Sequence, residues 1–114
     1  MVLRNVLILA REEIVAALLG FMVELQGLQP RFPEGSETVD NAIRREQPAV
    51  VLIDCDHADC TDALLEAVLR TEAIPVLFSP FRMRAEVQAV ATRHGIQSFT
   101  LPTDSDTFRK LLQV

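Results

Sequence analysis

The stretch "AVVLIDCDHADC", residues 49–60, decides the fold. Ala49 to Ile53 is a continuous apolar run, and it stops at Asp54. Such a run fits a strand buried on both faces, as the inner strands of a parallel sheet are. The aspartate at its end has three readings: an acceptor of phosphate, a ligand to a metal, or the cap of the helix that follows.

The same alternation extends in both directions. Upstream, Val2 to Ala10 reads as a second buried strand, interrupted only by Arg4 and Asn5. From Glu12 onward Ile14, Val15, Leu18, Leu19, Met22, Val23 and Leu25 recur at helical spacing. Glu13, Ala17, Gly20 and Glu24 mark the wetter side, and Gly27 marks a stop. "LQPRFPEGS" is a poor strand, because Pro30 and Pro33 cannot donate to a ladder, and it belongs at a sheet edge. Ser36 is expected to cap a short helix with Val39, Ala42 and Ile43 inward, ending before Pro48.

Downstream, Asp59 or Thr61 caps a helix with Leu64, Leu65, Val68 and Leu69 inward, and Ile74 to Phe78 is a strand. Met83, Val87, Val90 and Ala91 form the face of a fourth helix stopped by Gly95. Ile96 to Leu101 is a last strand, and Phe108, Leu111 and Leu112 form the face of a last helix. Strict alternation with short connections means an α/β three-layer sandwich, a parallel sheet with helices on both sides. With the proline-bearing strand at an edge, the order is 2-1-3-4-5, the flavodoxin-like arrangement with five strands and five helices in one domain, 1–114. Ligands in that architecture lie beyond the carboxyl ends of the central strands, which is where Asp54 stands.

Composition narrows the function classes. The chain has 114 residues, is 49% hydrophobic and 24% charged, and carries a net charge of −5 with its arginines scattered. A duplex nucleic acid needs a concentrated basic face, so no nucleic-acid role is expected. The apolar run from Ile14 to Val23 is too short to span a bilayer, and no secretory leader pattern precedes it. Cys55 and Cys60 are close in sequence, so a disulfide would close only a small loop; reduced thiols in the cytoplasm are expected.

With this strand order and "VLID" closing the third strand, the chain resembles a response-regulator receiver domain of the CheY-like kind, from about Asn5 to Leu112. The resemblance implies that Asp54 occupies the phosphoacceptor position, that Asp56 is the residue whose backbone carbonyl helps hold magnesium, and that Ser79 of "PVLFSPF" is the hydroxyl ending strand four. Ser79 has a second reading, as the cap of the fourth helix.

Other positions depart from the pattern. Where receivers end strand one with a pair of acids, "VLILAREE" has Ala10 and Arg11, followed by Glu12 and Glu13. Glu12, Glu13, Asp54 and Asp56 are then only weak candidates for magnesium, which wants near-octahedral oxygen ligands. Where receivers have a lysine before a proline, "FTLPTD" has Leu101 before Pro102, and the only lysine is Lys110 in the last helix. Arg11 has two readings: its guanidinium crosses to Asp54 and fills the place of the metal, or it is a solvated residue at a strand end.

"CDHADC" also brings zinc-capable Cys55, His57 and Cys60 together, but the remaining histidine, His94, falls on another element, and the spacing matches no familiar site. Cys60 at a helix start is a candidate redox thiol, against which Asp59 and Asp62 work. Arg82, Arg84 and Arg93 are expected on the outer face of the fourth helix, joining Asp104, Asp106 and Arg109 in an interaction face.

The expected function is a divergent receiver-like module, a pseudo-receiver of a two-component system, acting through protein–protein contact and needing no cofactor. Its partner would be a histidine kinase, an output module or a second copy of itself. The alternatives are a working phosphoacceptor phosphorylated on Asp54 by a histidine kinase and, more weakly, a cysteine or zinc sensor.

Overall fold

The computed structural model describes residues 4–112; Val2 and Leu3, expected at the start of the first strand, lie outside the described residues. The elements alternate as β1 (Asn5–Leu9), α1 (Glu13–Leu25), β2 (Gln29–Arg31), α2 (Val39–Glu46) and β3 (Val50–Asp54). There follow α3 (Asp62–Leu69), β4 (Ile74–Ser79), α4 (Arg84–His94), β5 (Gln97–Thr100) and α5 (Ser105–Leu112). All strand pairs are parallel and the order is β2-β1-β3-β4-β5, with the proline-bearing β2 at an edge.

Strand alternation divides the core into two layers. Val6, Ile8, Val50, Leu52, Val76 and Phe78 meet Val15, Leu19 and Val23 of α1 and Phe108 and Leu112 of α5. Phe78 stacks on Phe99 at 5.4 Å between ring centroids, and Phe99 meets Phe108 edge-on at 5.6 Å. On the other side Leu7, Leu9, Val51, Ile53 and Leu77 meet Val39 and Ala42 of α2, Leu65 and Val68 of α3, and Val87 and Ala91 of α4. By the same alternation Asp54 follows Leu52 toward the α1 and α5 side, and Ser79 follows Leu77 toward α3 and α4.

Several sequence expectations need correction. The second helix is capped by Thr38, whose hydroxyl accepts from Asn41 N–H, and not by Ser36. Of the two caps expected for α3, Thr61 is the one used, through Leu64 N–H. Met83 and Leu69, expected inward, are exposed.

The largest correction concerns α1. Val15, Leu19 and Val23 are buried, whereas Ile14, Leu18 and Leu25 face solvent. Gly20, expected on the wetter side, is buried where α1 meets β2: a Cβ there would lie 3.1 Å from the Phe32 ring and 3.7 Å from Pro30. A side chain there would require the Phe32 ring to give way by a few tenths of an ångström.

The loop after β2 is fixed by Arg45, which donates to Glu37 at 2.8 and 2.9 Å, to Glu46 at 2.6 Å and to the Phe32 carbonyl at 3.3 Å. The hydrogen bond from Arg45 is the main reason the Glu37 carboxyl is pulled down to about 2. Phe32 is thereby held against the edge of α1.

Candidate functional site

The carboxyl ends of β1, β3 and β4 form one rim, and Asp54 lies in it, 1% exposed. A buried carboxylate is tolerable only when its lone pairs are occupied. Here a backbone amide engages each oxygen. Arg11 N–H donates to one oxygen at 3.0 Å and Asp56 N–H to the other at 2.8 Å. The Asp54 carbonyl accepts from His57 N–H at 3.1 Å, closing the turn after the strand. Asp54 therefore ties the loop after β1 to its own loop, using main-chain donors from both.

Arg11 thus reaches Asp54, but through its amide. Its guanidinium is exposed and lies 4.0 Å from Glu12, as in the second of the two readings, the solvated strand end; in place of the direct ion pair stands a backbone bond. The reason is local geometry: the chain turns outward here to enter α1, which aims the N–H inward and the side chain at water. Glu12 occupies the N-cap position of α1 without a side-chain cap bond, and Glu13 is the first helical residue; both are exposed.

Asp56 is engaged by a residue that sequence periodicity placed elsewhere. Arg82 belongs to the loop before α4 and not to the helix face. It donates to Asp56 Oδ1 through Nε at 3.0 Å and approaches it through Nη2 at 2.9 Å. That hydrogen bond raises the already high pKa of Arg82 further. Ser79, fully buried, accepts from Phe81 N–H at 3.2 Å and Arg82 N–H at 2.9 Å, and its hydroxyl lies 3.5 Å from Asp56 Oδ2. It caps the turn after β4, while Met83 holds the N-cap position of α4. A chain of contacts therefore runs Arg11–Asp54–Asp56–Arg82–Ser79 across the rim.

This rim does not fit the magnesium site that the fold family implies. Ala10 has no side-chain oxygen to offer, the Asp56 carboxylate is paired with Arg82, and each Asp54 oxygen holds one amide. Among the described residues no group of three or more His, Cys, Asp or Glu comes together in a way that could hold a metal ion. The position of the missing lysine is taken by Leu101, joined to Pro102 by a cis peptide bond, and Lys110 lies on α5.

The zinc-capable residues are spread out. His57 Nδ1 accepts from Asp59 N–H at 3.0 Å, and His94, at the end of α4, pairs with Asp62 at 2.9 Å. The two cysteines are free and half-buried beside the α2–α3–α4 core layer. Burial is the main cause that pushes the Cys55 thiol up to about 11, and it raises Cys60 as well. A raised thiol holds little thiolate at neutral pH, and thiolate is the reactive form.

The charged residues assigned to an interaction face do separate things. Arg84 and Asp104 line one groove of about 220 Å³ with Gln88, Thr100, Pro102 and Thr107. Asp104 also caps α5, accepting from Thr107 N–H at 2.7 Å and Thr107 Oγ1 at 2.9 Å, which lowers its pKa. Arg93 turns to Asp62 on α3 at 3.1 Å, and Arg109 lies 3.4 Å from Asp106 on its own helix. Asp62 is held below the usual carboxylate range, first by the His94 hydrogen bond and then by the Arg93 charge.

No family model and no curated protein sequence matches the chain. Solved structures do match it, over nearly its whole length. A response regulator from Thermotoga maritima superposes with a TM-score of 0.78 at 12% identity, covering 99% of this chain and 100% of that one. A response regulator receiver protein from Burkholderia phymatum gives 0.77 at 11% identity, covering 97% and 96%. The beryllofluoride-activated N-terminal receiver domain of Klebsiella pneumoniae RstA gives 0.77 at 13% identity, covering 97% and 100%. The chain has the fold of response-regulator receiver domains. No helix among the described residues is long and apolar enough to cross a membrane.

Proposed function

We propose that this chain is a receiver-fold signalling module of the cytoplasm that acts by protein–protein contact, its phosphoacceptor chemistry lost. One observation carries the reading: the rim lacks the cations that phosphoryl transfer needs, with Leu101 at the lysine position and Arg82 paired with Asp56. Attack on a phosphoryl group needs a carboxylate oxygen with a lone pair free, and cations that neutralise the charge building on the transferred group. Each oxygen here gives one lone pair to an amide and keeps another, so the deficit lies in the cations. The nearby cation, Arg82, is spent on Asp56, and the lysine that would complete the receiver pattern is a leucine. Asp54 on this reading is a fastener that sets the shape of the rim. The partner would be a kinase, an output module or another component of the same signalling pathway.

The test is incubation with magnesium and a small phosphodonor such as acetyl phosphate, followed by intact-mass measurement of the wild type and of Asp54→Asn. Neither protein should gain a phosphate. A mass increment in the wild type that disappears in Asp54→Asn would establish the competing reading, a working phosphoacceptor.

A further inference from the structure

We infer that the cleft between the start of α1 and the loop after β2 binds a free α-amino acid with an apolar side chain. The sheet grows from β1 in both directions, to β2 on one side and to β3 on the other, and ligands of open parallel sheets lie at such a reversal. A cleft of about 630 Å³ opens there, within the range of about 300–1,000 Å³ usual for small-molecule sites. Ala16 and Ala17 of α1 form one wall, Phe32 and Pro33 of the loop after β2 another, and His57 comes from the loop after β3. The small residues of the helix leave room for a ligand, while the phenyl and pyrrolidine rings offer it an apolar surface. That surface is fixed in advance. Phe32 abuts Gly20, and Arg45 holds the Phe32 carbonyl at 3.3 Å while bonding Glu37 farther along the same loop at 2.8 and 2.9 Å. A wall that need not be ordered on binding costs the ligand less affinity.

The polar groups of the lining select the occupant: Arg11, Glu13 and His57. The Arg11 guanidinium has Glu12 at 4.0 Å, too far for a hydrogen bond. Glu13 makes no hydrogen bond or ion pair among the described residues. His57 Nδ1 accepts from Asp59 N–H at 3.0 Å, which puts the ring proton on Nε2 and makes that nitrogen a donor. Arg11 and His57 therefore call for an acceptor, and Glu13 calls for a donor. A carboxylate alone would meet the charges of Glu12 and Glu13 as well as that of Arg11. An ammonium alone would leave Arg11 and His57 without an acceptor. A zwitterion satisfies both demands, and its apolar side chain has Phe32 and Pro33 to lie against. The two donors also stand on fixed backbone. Arg11 N–H bonds the Asp54 carboxylate at 3.0 Å, and His57 N–H bonds the Asp54 carbonyl at 3.1 Å. A ligand held by their side chains acts on the two loops that Asp54 ties together, which gives the module a chemical input. The inference holds whether or not Asp54 takes phosphate.

The experiment is titration of the isotopically labelled chain with phenylalanine and with leucine, followed through its amide resonances. Phenylpropionate, which lacks the ammonium, phenethylamine, which lacks the carboxylate, and glycine, which lacks the side chain, are titrated beside them. At least one of the two amino acids should shift the amides of Ala17, Gly35 and His57, and each partial ligand should bind about tenfold or more weakly. Arg11→Gln should weaken the amino acid about tenfold and leave phenethylamine unchanged, whereas Glu13→Gln should weaken the amino acid and not phenylpropionate. A merely structural role for either residue would weaken every ligand alike. Ala17→Trp, at an exposed position, should fill the cleft and abolish binding. Circular dichroism and the thermal midpoint show that each variant is folded, and Ala17→Leu serves as the milder second substitution. Four results would overturn the inference. These are no shift with either amino acid, a partial ligand that binds as tightly as the amino acids, shifts confined to residues away from the cleft, or unchanged binding in the folded Ala17 variants.

Discussion

Asp54 and Phe21 invert the ordinary rule of what goes inside. The carboxylate is 1% exposed and the phenyl ring is 60% exposed. The difference lies in where each finds its partners. Asp54 is satisfied within the chain by two amides that the β1 and β3 loops turn toward it, so its burial is compensated. Phe21, with Ile14, Leu18 and Leu25 on the same side of α1, stays about half or more exposed among the described residues, and fully burying such side chains is favourable by up to about 1.5–3 kcal/mol each. The rim has become self-contained, while the face of α1 is left wanting a surface.

The largest expected effect is at the first of these regions. Asp54→Ala leaves two part-buried amides without acceptors and should destabilise the fold by roughly 2–4 kcal/mol, read from the denaturant midpoint. A carboxylate kept in an acidic pocket for a metal would behave in the opposite way, since its removal would relieve repulsion; an unchanged or raised midpoint would break the contrast. A smaller effect is expected one link along. Arg82→Gln removes the charge that holds Asp56, in a partly exposed pair, and should cost about 0.5–1 kcal/mol. If instead it costs as much as Asp54→Ala, the rim is a coupled network rather than a tie with an accessory.

Much of the architecture was legible in the sequence, because buried strands announce themselves as aliphatic runs and the prolines of β2 permit only an edge. The orientation of α1 was not. Its apolar residues satisfy helical spacing on two opposite sides, Val15–Leu19–Val23 and Ile14–Leu18–Phe21–Leu25, and periodicity alone cannot say which side meets the sheet. Gly20 bears on the answer, since a side chain there would crowd the Phe32 ring, but that crowding is visible only once β2 and its loop are in place.

At the site, the type and position of Asp54 were readable and its partners were not. Sequence names side chains, and the groups that satisfy Asp54 belong to the backbone. Arg82 was misplaced because Ser79 and Pro80 use the residues after β4 for a turn before the helix begins. The arginine is thereby delivered to the rim instead of the helix surface.

The smallest effect sharpens the other half of the contrast. Phe21→Gln should leave stability within about 0.5 kcal/mol of wild type, because the ring contributes little to the isolated fold. Thermal unfolding checks this, and a large loss would mean that this side of α1 is covered in solution by the chain itself or by a second copy.

The amide resonances of Arg11 and Asp56 report directly on whether Asp54 is a fastener or an acceptor. Their chemical shifts can be followed while magnesium and beryllofluoride, a phosphoryl mimic, are added to the isotopically labelled protein. Both resonances should stay where they are, because the two N–H groups remain bonded to the carboxylate. Movement of both that requires magnesium, and that is absent in Asp54→Asn, would contradict the central claim.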